Sequence, residues 1–250
     1  MFQPCLLIPV YNHSATLNET LAALRRHALT CLVVDDGSDC SHASTIKTVC
    51  QRYPWVILIR HPQNAGKGAA VKTAIRIAAE REFSHALQID ADAQHDLAAV
   101  DSFIKAARSQ PQRTILGHPV FDRSMPAGRR FSRYITHVWV WINTLSFEIA
   151  DAMCGFRVYP VGPLMAMLDN VRTGDHMEFD IEIVVRMYWS GMRFTMLPVA
   201  TCYPEDGRSH FRLVRDNALI SAMHAKLFFA MLARLPGLIL RKLRASTIDA

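Results

Sequence analysis

Two aspartates one residue apart, Asp90 and Asp92, with Gln94 two positions further on, are the sharpest chemical signal in the chain. In an extended segment, residues two apart point the same way, about 6.5–7 Å along the strand. All three side chains offer oxygen, the donor type of Mg2+ or Mn2+ rather than zinc. Magnesium sites combine one or two carboxylates with phosphate oxygens, so the spacing points to a metal-bound phosphorylated ligand. The alternative is a polar loop with a helix cap at Asp96.

A second acidic cluster is Asp35-Asp36-Gly37-Ser38-Asp39. Adjacent carboxylates repel, so a compensating partner is expected. The cluster reads either as a helix-capping turn or as a turn accepting hydrogen bonds from a base or ribose. Asn64-Ala65-Gly66-Lys67-Gly68-Ala69 sets two glycines around a lysine at a helix start. It departs from the Walker loop, because Gly68 stands where Ser or Thr is required, yet it keeps the makings of an anion site. Asp151–Arg157 and Glu178-Phe179-Asp180-Ile181-Glu182 add carboxylates. On a helix, Glu178 and Glu182 share a face and Asp180 points elsewhere. Each is either a general base or an ordinary charge at a helix start. Gly207–Arg212, with Arg208, Ser209 and His210, is a short basic loop that could close over a diphosphate or lie in solvent.

Four apolar runs precede or separate these clusters: Cys5–Val10, Cys31–Asp35, Trp55–Arg60 and His85–Asp90. They read as buried strands of a parallel sheet. Helical patterns lie between them. Thr16-Leu-Asn-Glu19 is a capping-box pattern opening a helix to about His27. Gly66–Arg81 and Asp96–Ser109 carry apolar residues at helical spacing. This order predicts a doubly wound α/β sheet, whose ligands bind beyond the carboxyl ends of the strands. The second half predicts a helix over Gly128–Ala150, a short strand at Gly155–Tyr159 and a helix over Glu178–Trp189. A strand over Arg193–Tyr203, interrupted by Pro198, and an amphipathic helix over Asp216–Leu235 that meets Pro236-Gly237 complete it.

With 250 residues, half of them hydrophobic, the chain can bury a full core without a disulfide or metal staple. The six cysteines are scattered with no CxxC pair, which fits free thiols in a reducing cytosol. The net charge of +6 is mixed with 22 acidic residues, which argues against nucleic acid as a partner. The longest stretch without charge, Tyr134–Phe147, has 14 residues, short of the about 20 needed to span a bilayer. No leader pattern opens the chain.

Taken in order, Pro9-Val10-Tyr11-Asn12, Val33–Ser38, Asn64–Ala69, Asp90–Gln94, Asp151–Arg157 and Gly207–His210 resemble glycosyltransferase family 2. The resemblance covers roughly residues 4–215 and is nearest to the dolichol-phosphate mannose and glucose synthases and their bacterial relatives. It implies a GT-A, Rossmann-like fold, with 1–215 as the catalytic domain and 216–250 as a C-terminal amphipathic helix and basic tail. Within that domain, 1–110 would bind the nucleotide sugar and 111–215 the acceptor. The donor would be a UDP- or GDP-sugar. Pro9, Tyr11, Asn12 and Asp36 would line the nucleoside pocket, joined by Lys67, Asp90 and Ala91. Asp90, Asp92 and Gln94, with His210, would hold Mg2+ or Mn2+. Arg208 and Ser209 would close on the diphosphate. Asp180, then Glu178, would be the base for an alcohol acceptor. Arg123, Arg129, Arg133 and Arg157 would receive an anionic acceptor, such as a lipid phosphate. The sequence departs from the pattern at His13, where many members carry Glu, at Cys154 in place of Ser, and at His210 in place of Lys.

Two other functions fit parts of this set. A nucleotidyltransferase of related fold would carry a glycine-rich first loop, and Pro9–Ser14 has no glycine. A non-catalytic nucleotide- or membrane-binding module would not need the paired carboxylates. The segment Asn217–Arg244 interleaves apolar residues with Lys226, Arg234, Arg241, Lys242 and Arg244. It reads either as a helix lying on anionic lipid at the inner face of the cytoplasmic membrane or as one packed on the sheet.

Overall fold

The computed structural model describes residues 1–121, 127–201 and 212–248, with backbone alone for Ala127, Arg129 and 242–248. The strands are β1 (Pro4–Val10), β2 (Cys31–Asp35), β3 (Val56–Arg60), β4 (His85–Gln88), β5 (Arg113–Phe121), β6 (Arg157–Pro160) and β7 (Arg193–Thr201). The helices are α1 (Ser14–Leu24), α2 (Cys40–Gln51), α3 (Lys67–Glu80), α4 (Val100–Ser109), α5 (Ala127–Thr144), α6 (Val161–Leu168), α7 (Phe179–Trp189) and α8 (Leu213–Ile248).

The sheet runs β3-β2-β1-β4-β6-β5-β7. All neighbours are parallel except β6, which is antiparallel to both β4 and β5. Alternate strand residues feed opposite layers. Leu7, Leu32 and Val34 face the layer built with α3, α6 and α7. Leu6, Ile8 and Val33 face the layer built with α1, α2 and α4. Burial on both faces is why these strands read as continuous apolar runs. Strand order reverses between β1 and β4, and a crevice beyond their carboxyl ends is where ligands of such sheets bind.

Several elements differ from the sequence reading. Glu19 and Thr16 do not cap α1, which starts at Ser14; the Thr16 hydroxyl instead donates to the Ala91 carbonyl at 2.6 Å. The residue that opens the next helical turn fits better, since Asp96 accepts from the Ala98 amide. β5 has no alternating or continuous apolar signature, because Gly117, His118 and Pro119 interrupt it, yet it pairs along its full length with β7. β7 runs unbroken through Pro198, which an edge strand tolerates. α8 does not stop at Pro236. Met231 and Leu238 on either side of it are buried, so packing holds the helix across the lost hydrogen bond.

α8 also changes the membrane arithmetic. Over Leu213–Arg241 it is long and apolar enough to cross a bilayer, with mean hydropathy 1.4. Its Met223, Leu227, Met231 and Leu238 face is, however, committed to the domain core. Arg234 lies over the Trp189 ring at 4.9 Å. Arg241 lies over Tyr188 at 4.6 Å and donates to the Tyr188 carbonyl. Two cations that the sequence placed either at lipid or in solvent therefore clasp α8 to α7.

Candidate active site

The turn after β2 is organised by its two carboxylates. Asp35 accepts from the Ser38 amide at 2.9 Å and pairs with Arg60 at 2.8 Å. Asp36 accepts from the amides of Ala65 (3.0 Å) and Gly66 (2.8 Å) and from the Asn64 side chain (3.0 Å). His61 Nδ1 lies 2.8 Å from Asp36 Oδ1. Four partners fill about four lone-pair sites of a carboxylate. Asp36 thus answers the charge problem of the Asp-Asp pair by folding the 64–66 loop. That loop brings Gly66 to φ 106°, with no room for a Cβ against the Asp175 carbonyl.

Asn12 does similar work. Its side chain exchanges hydrogen bonds with Asp39, donating to the carboxylate at 3.1 Å and accepting from the amide at 2.9 Å. It is not among the residues that line the neighbouring cleft.

The metal-type segment is a turn rather than an extended strand. β4 ends at Gln88, and Ala93 takes φ 56°. Asp90, Asp92 and Gln94 nevertheless line one cleft of about 670 Å³ together with Pro9, Tyr11, Asp36, Lys67 and Ala91. Gly155 passes so close that a Cβ there would fall on the Asp90 carboxylate. Burial works to raise the Asp90 pKa, but the Lys67 ammonium, 2.8 Å from Oδ2, wins and holds it below the usual carboxylate range. Asp92 goes the other way: burial and the neighbouring Asp90 charge raise it. Two carboxylates and a side-chain amide, all oxygen donors, line the same cleft. The residues therefore fit a hard divalent cation.

Lys67 expected a phosphate and finds two carboxylates instead. Its Nζ also lies 2.6 Å from Asp180 Oδ2. Asp180 and Glu178 are not among the residues lining the cleft; Asp180 is joined to it through Lys67. Glu178 turns its carboxylate to the 174–176 loop, where Oε1 accepts from the His176 amide at 3.3 Å.

Arg157 is a clear correction. It is only 1% exposed, and its guanidinium donates to the carbonyls of Ala152, Cys154 and Asp180. A side chain spent on internal carbonyls cannot receive an acceptor. Arg133 does line the cleft, fixed by Asp151 at 2.7 Å. Burial opposes the Asp151 charge, but His137 and Arg133 hold its pKa far below the usual range. The same carboxylate accepts from the Met153 and Cys154 amides, shaping the loop that carries Gly155. Burial pushes the Cys154 thiol up to about 12, so it packs as an inert side chain. Arg123, the side chain of Arg129, and Arg208, Ser209 and His210 lie outside the described residues.

Sequence reasoning missed His61, which locks Asp36, and His176, which lines the cleft and meets Arg215 at 3.1 Å. For His61 a signal was present, since it directly follows β3 at the ligand-binding rim.

A mostly parallel α/β sheet with a carboxylate pair at its switch point and arginines across the cleft defines a GT-A-type transferase. The chain matches Glycosyl transferase family 2 over residues 5–168, and it belongs to that family. It is 24% identical over 213 residues to an undecaprenyl-phosphate mannosyltransferase of Micrococcus luteus, covering 81% of this chain and 85% of that one. It is 22% identical over 217 residues to a UDP-N-acetylglucosamine–dolichyl-phosphate N-acetylglucosaminyltransferase of Methanococcus voltae, covering 80% and 86%. Its fold is that of glucosyl-3-phosphoglycerate synthase from Mycobacterium tuberculosis, crystallised with Mn2+ and UDP-glucose. The TM-score is 0.63 at 12% identity, covering 93% of this chain and 78% of that one. The protein is a glycosyltransferase, which removes the nucleotidyltransferase and non-catalytic alternatives.

Proposed function

We propose that this enzyme transfers a sugar, with inversion, from a nucleotide diphosphate donor to a lipid phosphate at a membrane surface. One observation carries the choice of acceptor. Among the described residues, the carboxylates lining the cleft are Asp36, Asp90, Asp92 and Asp216. Asp36 is saturated, Asp216 accepts from the Arg212 amide at 2.6 Å, and Asp90 and Asp92 are the metal-type pair. Among the described cleft residues, none of these carboxylates is without a role that would compete with taking a proton from an alcohol. A phosphate is already ionised near neutral pH and needs no base. Arg133, Arg212 and Arg215 supply positive charge to the same cleft.

In this mechanism Asp90, Asp92 and Gln94 would hold Mg2+ or Mn2+, which supplies Lewis-acid neutralisation of the leaving diphosphate. The Asp36-bound 64–66 loop and the β1 end, with Pro9 and Tyr11, shape the nucleoside side. Arg133, immobilised by Asp151, orients the acceptor anion for attack on the anomeric carbon. The relatives named for undecaprenyl and dolichyl phosphate substrates support the same acceptor class. A membrane location is supported by apolar stripes left exposed on α5 (Phe131, Ile135, Trp139, Ile142) and α8 (Phe229, Leu232, Ile239).

The test is donor hydrolysis across UDP- and GDP-sugars with Mn2+, followed by transfer to a polyprenyl phosphate and to the matching polyprenol. The expected result is transfer to the phosphate alone. Efficient transfer to the alcohol would return the search to a base, with Asp180 first.

A further inference from the structure

Asp90 is not a free ligand in this protein. Lys67 Nζ sits 2.8 Å from Asp90 Oδ2 and 2.6 Å from Asp180 Oδ2, bridging them at the wall of the cleft. The bridge closes a buried ring. Gln88 donates to Asp90 Oδ1 at 3.3 Å, and Tyr159 donates its hydroxyl to Gln88 Oε1 at 3.1 Å. Arg157 donates to the Tyr159 oxygen at 3.4 Å and to the Asp180 carbonyl at 2.8 Å. The two carboxylates differ in what else they hold. Asp90 faces the cleft and shares it with Asp92, whereas Asp180 lies behind, its Oδ1 buried without a hydrogen bond and 3.8 Å from Arg157.

A divalent cation on Asp90 and an ammonium on the same carboxylate are like charges in a low-dielectric site, so each weakens the other's hold on it. The ammonium has a second seat already within reach. We propose that Lys67 is a resident competitor for the metal site. It holds Asp90 in the metal-free protein and yields it to the divalent cation by retreating onto Asp180. Asp180 is then a positioning residue, the place that receives the displaced ammonium. This inference rests on the reading of Asp90 and Asp92 as metal ligands. It predicts weak metal binding by the free enzyme. It also makes metal affinity depend on a residue that never touches the metal.

The experiment titrates MnCl2 alone into full-length protein, read by calorimetry and by the Mn2+ electron paramagnetic resonance signal. Lys67→Met should tighten Mn2+ binding about fivefold or more, the scale of a typical coupling between sites. Lys67→Arg, which keeps the charge, should stay near wild type. Asp180→Asn should weaken binding by a similar factor, because Lys67 then has no second seat. In the Lys67→Met background, Asp180→Asn should change affinity little. Equal or weaker binding by Lys67→Met, or fully additive effects in the double variant, would overturn the proposal. Additivity would mean a general field effect rather than a handover. Melting curves are taken first, and Lys67→Gln replaces Lys67→Met if the latter does not fold. Should neither fold, Asp180→Asn decides: weaker binding supports the handover and unchanged binding overturns it. Asp92→Ala separates the two readings. If it binds Mn2+ as wild type does, the metal site itself is wrong; if it fails to bind and Lys67→Met is not tighter, only the handover is wrong.

Discussion

The rim around β1, β2 and β4 and the helical flank of α5 and α8 are built on opposite principles. At the rim, the organising polar groups are spoken for: Asp35 by Arg60 and Ser38, Asp36 by four partners, Asp151 by two amides and Arg133. Its loops are held by carboxylates that accept from backbone amides. On the flank, large apolar side chains stand in solvent, with Phe131 67% and Phe229 70% exposed. One region is finished within the chain, and the other is complementary to something apolar outside it. The contrast fits the proposed roles, with donor binding at the first and a surface for an amphipathic acceptor at the second.

The comparison can be broken at its strongest point first. Asp92→Ala should lower donor turnover in Mn2+ by on the order of a hundredfold or more, the scale of losing charge stabilisation on the leaving group, while the melting curve stays near wild type. Steady-state hydrolysis of the preferred nucleotide sugar measures this.

Asp36→Ala should do the reverse and act on the fold. Stranding the Ala65 and Gly66 amides should cost about 3 kcal/mol in urea unfolding, with weaker nucleotide binding following from a loosened loop.

His224 tests how the flank is attached. It is buried between Trp139 and Asn143, and burial pulls its pKa from 6.5 down to about 4. The folded state prefers neutral imidazole, so the stability it permits is complete above about pH 6.5. That stability falls as pH drops towards 4, by up to about 3 kcal/mol. Urea unfolding at pH 7.5 and 4.5 should show this loss in wild type and a smaller one in His224→Gln.

The smallest effect on stability should come from the exposed stripes. Phe131→Ser with Phe229→Ser should change stability by only about 0.5 kcal/mol, as surface substitutions do. The same pair should abolish pelleting with anionic liposomes. Pelleting that survives the pair would move the membrane surface elsewhere.

The sequence made the first half of the sheet legible because strands buried on both faces leave continuous apolar runs, and Cys31–Asp35 keeps the same bounds in the structure. It made the metal-type cluster legible because donor chemistry survives a wrong backbone: Asp90, Asp92 and Gln94 share a cleft although their segment turns at Ala93. What stayed hidden was pairing. Nothing local says that Arg157 spends its donors on carbonyls, or that Lys67 meets Asp180, 113 positions away, rather than a phosphate. β5 was hidden for a related reason, since its partner is β7 and its own residues carry little periodicity.

The reversed strand β6 has a broader meaning for this architecture. In a sheet wound one way, only the segments that come after strands arrive at the working edge. Inserting one strand backwards delivers the segment that comes before it, so Asp151–Phe156 meets the end of β4 from the other direction. A stretch of chain from the second half is thereby set directly against Asp90. Under the proposed function, donor and acceptor groups would share one edge without a separate domain having to swing into place.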